Sequence, residues 1–167
     1  MLGPSDRRDA SGGVVRERTW VFFVPAEPKA VWDFLVRYEN NVALTSPGSY
    51  AVLQQGTPGV AGAVYGVGIG WEGLPSTFRI RLADAEPGVS MRWYSRTGRS
   101  TGQALYELSP GDDGGTRMEL HLSLTLADAF APLEPFGWSL LTRCCETFVA
   151  GLKTHPFESA EVSTAGA

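Results

Sequence analysis

Basic side chains and long apolar runs are both scarce in this chain of 167 residues. Lysine occurs only at Lys29 and Lys153, and the formal net charge is −4. This balance argues against nucleic acid as a partner, because nucleic acid demands a basic face. No apolar stretch reaches the roughly 18 residues that a membrane-spanning helix needs. The first residues, MLGPSDRRDASGG, lack the apolar segment of a secretory signal. We therefore expect a cytoplasmic protein without a membrane span.

Cysteine and histidine are also rare, with two of each, and their spacing does not match a zinc site. Cys144 and Cys145 are adjacent in a helical pattern, which disfavours a mutual disulfide and indicates reduced thiols. His121 alternates with leucines and should face solvent, whereas His155 lies at a helix end, where a cation suits the helix dipole. The glycines of residues 66–73, GVGIGWEG, do not match a dinucleotide-binding loop. We expect no metal and no cofactor.

Strand patterns dominate the middle of the chain, and helical patterns flank them. The first strand is predicted over 17–24, Pro28 opens a short helix, and a second short helix follows over 38–44. Six further strands are predicted, separated by turn signals, over 49–55, 61–71, 77–85, 89–94, 99–108 and 116–126.

A helix of about twenty residues closes the pattern. Its apolar stripe is Leu141, Cys145, Phe148 and Leu152, and His155-Pro156 ends it. A run of strands with segregated helices predicts one α+β domain over 15–157. The polar segments 1–14 and 158–167 are expected to be disordered.

Three segments in this order resemble the START-related, birch-pollen-allergen-like (SRPBCC) superfamily, and in particular its polyketide cyclase/dehydrase-like group. They are VPAEPKAVWDFLVRYEN, ADAEPGVSMRW and YELSPGDDGGTRMEL, followed by the amphipathic helix. The resemblance covers about residues 17–155. It implies a helix-grip fold, in which a seven-stranded curved antiparallel sheet surrounds the C-terminal helix and encloses an apolar pocket. Two short helices after the first strand would close one end. The sequence departs from the pattern at Asn41, where the family often has a tryptophan.

Aromatic and hydroxyl residues on the concave face of this sheet are the candidate site residues. Strand alternation turns them inward, together with small residues that would leave room for a ligand. The catalytic candidates, chosen for their hydroxyl groups, are Tyr65, Tyr106 and Ser95. The ligand-binding candidates are Ser76, Phe78, Trp71 and Trp93 on the strands, with Trp138 and Cys145 on the C-terminal helix. Ordinary core packing remains the alternative interpretation for each of them.

Two functions from different classes remain open. The resemblance favours a protein that promotes cyclisation, aromatisation or dehydration of a natural-product intermediate, mainly by positioning it in a water-poor pocket. The alternative is a non-catalytic carrier or sensor of an apolar small molecule or lipid. A weaker third option is a protein-interaction module. The expected partner is thus an apolar ligand or a polyketide-like substrate. The oligomeric state is left open, with a homodimer among the alternatives.

Overall fold

The secondary structure follows the predicted order along the chain. A computed structural model describes residues 5–8, 14–45, 48–71, 74–97, 100–126 and 134–157. The strands are β1 (Ser5–Arg8), β2 (Val14–Val24), β3 (Tyr50–Gln55), β4 (Val64–Trp71), β5 (Leu74–Glu86), β6 (Ser90–Thr97), β7 (Ser100–Pro110) and β8 (Thr116–Leu126). The helices are α1 (Pro28–Leu35), α2 (Tyr38–Thr45) and α3 (Glu134–Thr154).

The strands form one antiparallel sheet in the order β1-β2-β8-β7-β6-β5-β4-β3. Strands β2 to β8 are the seven predicted ones, and with α3 they confirm the helix-grip fold. In the order of the sheet, these seven strands begin with β2 and end with β3. The two strands therefore lie at opposite sides of the sheet, although only α1 and α2 separate them in sequence. The two short helices therefore carry the chain across one end of the sheet.

The core lies between the inner face of the sheet and α3. Alternate residues of β8 are buried, as the period of a strand with one covered face requires, and Met118 and Leu120 are almost fully enclosed. Helix α3 contributes Phe148 and Leu152 to the same core. Within the described part of the chain, no helix has both the length and the apolar character that are needed to cross a bilayer.

The N-terminal segment departs from the expectation of disorder, because residues 5–8 form β1. This strand pairs antiparallel with the start of β2, from Ser5 opposite Glu17 to Arg8 opposite Val14. The outer edge of β2 would otherwise present unpaired backbone groups, and β1 pairs with its first four residues, 14–17. The remainder of the predicted disordered segments, 1–4, 9–13 and 158–167, lies outside the described residues.

Asn41, which stands where the family often has a tryptophan, fastens the corner between α1 and α2. Its side chain is buried, and its Nδ2 donates to the backbone oxygen of Leu35 at 2.7 Å. The neighbouring Asn40 donates from Nδ2 to the backbone oxygen of Phe34 at 2.8 Å. Both carbonyls belong to the last turn of α1, where no helical N–H reaches them. The asparagines thus replace apolar packing with hydrogen bonds at this corner.

Candidate functional site

The inner face of the sheet is built in layers across β6, β7 and β8. Paired residues define these layers, which are Met91–Tyr106–Leu120, Trp93–Ala104–Leu122 and Ser95–Gly102–Leu124. Every member of the first layer is buried, whereas every member of the third is only half-buried. The third layer also contains the smallest side chains. Among the described residues, burial therefore decreases from the end near α1 and α2, here called the closed end, toward the end where α3 begins.

Three aromatic rings converge at the closed end. Tyr38, the first residue of α2, lies 4.7 Å from Trp93 and 6.0 Å from Tyr65, measured between ring centroids. Tyr65 and Trp93 meet edge to face at 5.8 Å. The Tyr65 hydroxyl donates to the backbone oxygen of Val36 at 3.3 Å, which ties β4 to the α1–α2 corner. This arrangement is a preferred geometry for aromatic packing and gives the interior rigid walls.

Hydroxyl and thiol groups from α2, β7 and α3 lie near one another beside these rings. Burial is the main reason that the pKa of Tyr38 is raised above its usual range, and Cys145 adds to the effect. Burial likewise raises the pKa of Tyr106, with a further contribution from Tyr38. Burial raises the pKa of the Cys145 thiol to about 12, followed by an effect of Cys144 in the same direction. Near neutral pH all three groups are therefore protonated and can donate hydrogen bonds.

Several polar atoms in this region have unused hydrogen-bonding capacity. The indole Nε1 of Trp93 and the Oγ1 of Thr142 on α3 are buried without a partner among the described residues. A buried donor left unpaired costs about 1–3 kcal/mol, so most proteins avoid it unless water or a ligand supplies the partner. The Trp93 Nε1 and the Thr142 Oγ1 can therefore each take a further polar partner.

The positively charged side chain of Arg18 lies between β2 and α3. The Arg18 guanidinium pairs with Glu146 at 3.1 Å and lies 4.8 Å from the centre of the Trp20 ring. Arg18 has the same strand parity as Trp20, so both project from β2 toward the helix. Arg18 also opposes the burial effect on Cys145, because its positive charge favours the thiolate. Arg18 therefore joins an aromatic ring of β2 and a carboxylate of α3.

The predicted site residues do not all share one environment. Tyr65 and Trp93 are fully enclosed and Tyr106 nearly so, while Phe78 and Cys145 pack against the core from partly buried positions. Ser95 and Trp138 are half-buried; the Ser95 hydroxyl makes a long contact of 3.4 Å with the backbone oxygen of Gly102. Trp71 and Ser76 lie in β4 and β5, but their side chains are outside the described part of the structure.

Three residues of this region were missing from the sequence-based candidates, namely Tyr38, Arg18 and Thr142. In the sequence Tyr38 falls on the same helical face as Val31 and Leu35, a pattern that does not distinguish a packing residue from a site residue. Arg18 could have been found from its alternation with Trp20 and Phe22 in the first strand. No sequence pattern pointed to Thr142, because the burial of its hydroxyl depends on how α3 is rotated against the sheet.

An aromatic cluster on the outer surface includes His155 and accounts for its packing role. The His155 ring contacts Phe34 of α1 and Phe157, at centroid distances of 4.3 Å and 4.8 Å, and these two rings also contact each other. A groove of 640 Å³ runs along this cluster. The contacts support the structural interpretation of His155 as a packing residue beyond the end of α3.

Comparison with known proteins identifies the fold of the chain, and the similar proteins are solved structures only. No family model matches the sequence, and no curated protein matches it. Solved structures do match. The ZhuI aromatase/cyclase from Streptomyces sp. R1128 superposes with a TM-score of 0.68 at 15% identity, over 83% of this chain and 92% of that one. The di-domain ARO/CYC BexL from the BE-7585A biosynthetic pathway gives 0.66 at 17% identity, over 87% of this chain and 50% of that one.

A third similar structure, Ara h 8.0201, has a TM-score of 0.56 at 13% identity and covers 81% of this chain. These matches confirm the predicted resemblance. The chain has the helix-grip fold, as these structures do. Identities this low establish the fold alone, so activity and substrate must be argued from the site.

Proposed function

We propose that the protein binds an apolar, partly oxygenated small molecule between the sheet and α3 and promotes its cyclisation, aromatisation or dehydration. The observation that carries the proposal is the group of protonated hydroxyls beside rigid aromatic walls. Tyr38 and Tyr106 would donate hydrogen bonds to a carbonyl oxygen and so favour its enol form. Tyr65, Trp93 and the other aromatic rings would hold a flexible chain in a reactive conformation.

The fold comparison supports this choice of reaction, since two of the similar structures are described as aromatase/cyclases. The ligand-binding roles predicted for Phe78, Trp138 and Cys145 are part of the same proposal, as is a role of Ser95 at the end where α3 begins. The thiols Cys144 and Cys145 are consistent with a reducing, cytoplasmic location, which we include in the proposal.

A second function, a carrier or sensor of an apolar molecule, is favoured by a different observation. The raised pKa values of Tyr38, Tyr106 and Cys145 leave these groups protonated, so none of them serves as a general base near neutral pH. A protein that only binds its ligand needs no base.

The test begins with native mass spectrometry of the purified protein, followed by denaturing extraction. An apolar molecule bound at about one equivalent would support ligand binding and give the class of ligand. Incubation with a linear poly-β-ketone then separates the two functions, because turnover supports the enzyme and binding without turnover supports the carrier. Failure to bind any apolar or polyketide-like compound would contradict both.

The hydroxyl role has its own variants. Tyr106→Phe keeps the ring and removes the hydroxyl, so an assisting hydroxyl predicts a fall in kcat of about 10²–10⁴-fold with little change in ligand affinity. Tyr50→Phe is the matched control, because Tyr50 is exposed on the outer face of the sheet. Equal kcat values for the two variants would exclude Tyr106 from the chemistry.

A further inference from the structure

Two glutamates and a histidine converge on the outer face of the sheet, away from the interior. Glu107 on β7 and Glu119 on β8 are directly opposite each other in the sheet register. His121 is on the same face two residues beyond Glu119. Its Nε2 lies 2.9 Å from Oε2 of Glu107 and 3.5 Å from Oε2 of Glu119. The two carboxylates and the imidazole thus point to one spot.

The register sets two carboxylates opposite each other, and a bound cation would reduce the repulsion between them. Like charges directly opposite on neighbouring strands destabilise a sheet. Arg117 pairs with Oε1 of Glu119, and Oε2 of the same carboxylate remains directed at His121. One ligand atom from each of Glu107, Glu119 and His121 can be chosen so that all three lie within 4.8 Å of one another. We propose that these three residues bind a divalent transition-metal ion, for which Zn²⁺ is the appropriate probe.

The distances fit such an ion. Zinc binds histidine nitrogen and carboxylate oxygen at about 2.0–2.2 Å, and tetrahedral bonds of that length set the ligand atoms about 3.3 Å apart. The two observed separations, 2.9 Å and 3.5 Å, lie on either side of this value. Small rotations of the side chains would therefore admit the ion in place of the direct His121–Glu107 contact.

The surroundings supply the other requirements of a metal site. Nδ1 of His121 lies 2.9 Å from the Thr19 hydroxyl on β2, so the imidazole is held by its other nitrogen, as in many metal sites. A groove of 390 Å³ beside Glu107 and Glu119 leaves space for water at the remaining position. The single imidazole favours Zn²⁺ over Mg²⁺ or Ca²⁺, which prefer oxygen ligands alone.

The consequence of binding is a link across three strands, β2, β7 and β8. An ion that binds only the folded chain stabilises it by mass action, so the melting temperature should rise with Zn²⁺ concentration. The site is remote from the interior, and it does not depend on the proposed small-molecule function.

Isothermal titration calorimetry of the tag-free, chelator-treated protein with zinc chloride tests the inference. We expect one Zn²⁺ per chain and a loss of affinity of about tenfold or more in His121→Ala and in Glu107→Gln. Thr19→Val should weaken binding about 10–100-fold, the usual effect of removing the group that orients a ligand histidine. His155→Ala is the matched control, since the chain has only these two histidines.

Metal-free melting curves of each variant separate lost binding from lost folding, because the ligand residues lie at the surface and Glu107→Gln, which removes one of the two opposed charges, should not lower the metal-free stability. Undiminished affinity in His121→Ala would overturn the site. An equal loss in His155→Ala, or no heat of binding with the parent protein, would overturn it as well.

Discussion

The ring of Tyr106 on β7 stacks on the ring of Phe148 on α3, with centroids 5.8 Å apart and planes inclined by 16°. Tyr106 belongs to the deepest layer of the sheet, and Phe148 is buried against it. The pair fixes the distance between the helix and the sheet beside the proposed ligand site. It therefore couples the stability of the fold to the geometry of the interior.

Replacement of Phe148 should expose this coupling. Phe148→Ala removes a buried ring and leaves a cavity, so the free energy of unfolding should fall by about 3–5 kcal/mol. Phe148→Leu retains much of the apolar volume and should cost clearly less. Urea denaturation measures both values. Equal effects of the two substitutions would mean that this contact does not contribute through packing.

The asparagine corner predicts a graded effect of two neighbouring substitutions. Asn41→Leu leaves the Leu35 carbonyl without its buried donor and should lower the free energy of unfolding by about 1–3 kcal/mol. Asn40→Ala removes a less buried hydrogen bond to Phe34 and should cost about 0.5–1.5 kcal/mol. The same denaturation assay ranks them, and a reversed order would contradict the assigned burial.

Two glycines should respond in opposite directions to alanine. A Cβ on Gly115 would lie 2.2 Å from the Phe23 ring and 2.6 Å from the backbone oxygen of Val24, so Gly115→Ala should destabilise the β7–β8 turn. A Cβ on Gly137 in α3 would meet no atom of the described residues within 4 Å, and alanine favours a helix by up to about 1 kcal/mol over glycine. A destabilised Gly137→Ala protein would show that this turn of α3 is constrained by another contact.

Stability should fall at alkaline pH because Tyr38, Tyr106 and Cys145 have raised pKa values in the folded chain. The unfolded chain ionises first, near the ordinary values of 9.0 for cysteine and 10.0 for tyrosine. The stabilisation is thus complete below pH 9.0 and is lost as the pH rises above it. Each group contributes a slope of up to about 1.4 kcal/mol per pH unit between its two pKa values.

Urea denaturation across this alkaline range measures the slope. Tyr106→Phe removes one contributing group and should make the dependence on pH shallower by roughly one proton. Tyr50→Phe, at an exposed position, is the control. If the slope of Tyr106→Phe matched that of the parent protein, the Tyr106 hydroxyl would not be desolvated.

Much of the fold could be predicted because the pattern of a strand or a long helix is local. The bounds of β8 agree with the prediction residue for residue, since its leucines alternate without interruption. The strand β1 could not be predicted, because SDRR has neither alternation nor β-forming residues. It forms only where β2 offers an unpaired edge, and that edge exists only in the assembled sheet.

The candidate site likewise has a part that follows from local sequence patterns and a part that depends on tertiary packing. Strand parity was sufficient to turn Tyr65, Trp93 and Tyr106 inward, whereas the position of Tyr38 against Trp93 depends on how α2 packs across the end of the sheet. The proposed metal ligands show the contrast most clearly. Glu107 and His121 are 14 residues apart, and only the register of β7 with β8 brings them together.

By itself the sequence determined the order of strands and helices, the apolar faces and the inward parity of the aromatic residues. These follow from periodicity, which each segment carries alone. Tertiary structure decided which groups meet and which are desolvated. Those outcomes depend on register and packing between distant segments, and they set the pKa values and unpaired polar atoms from which function is proposed.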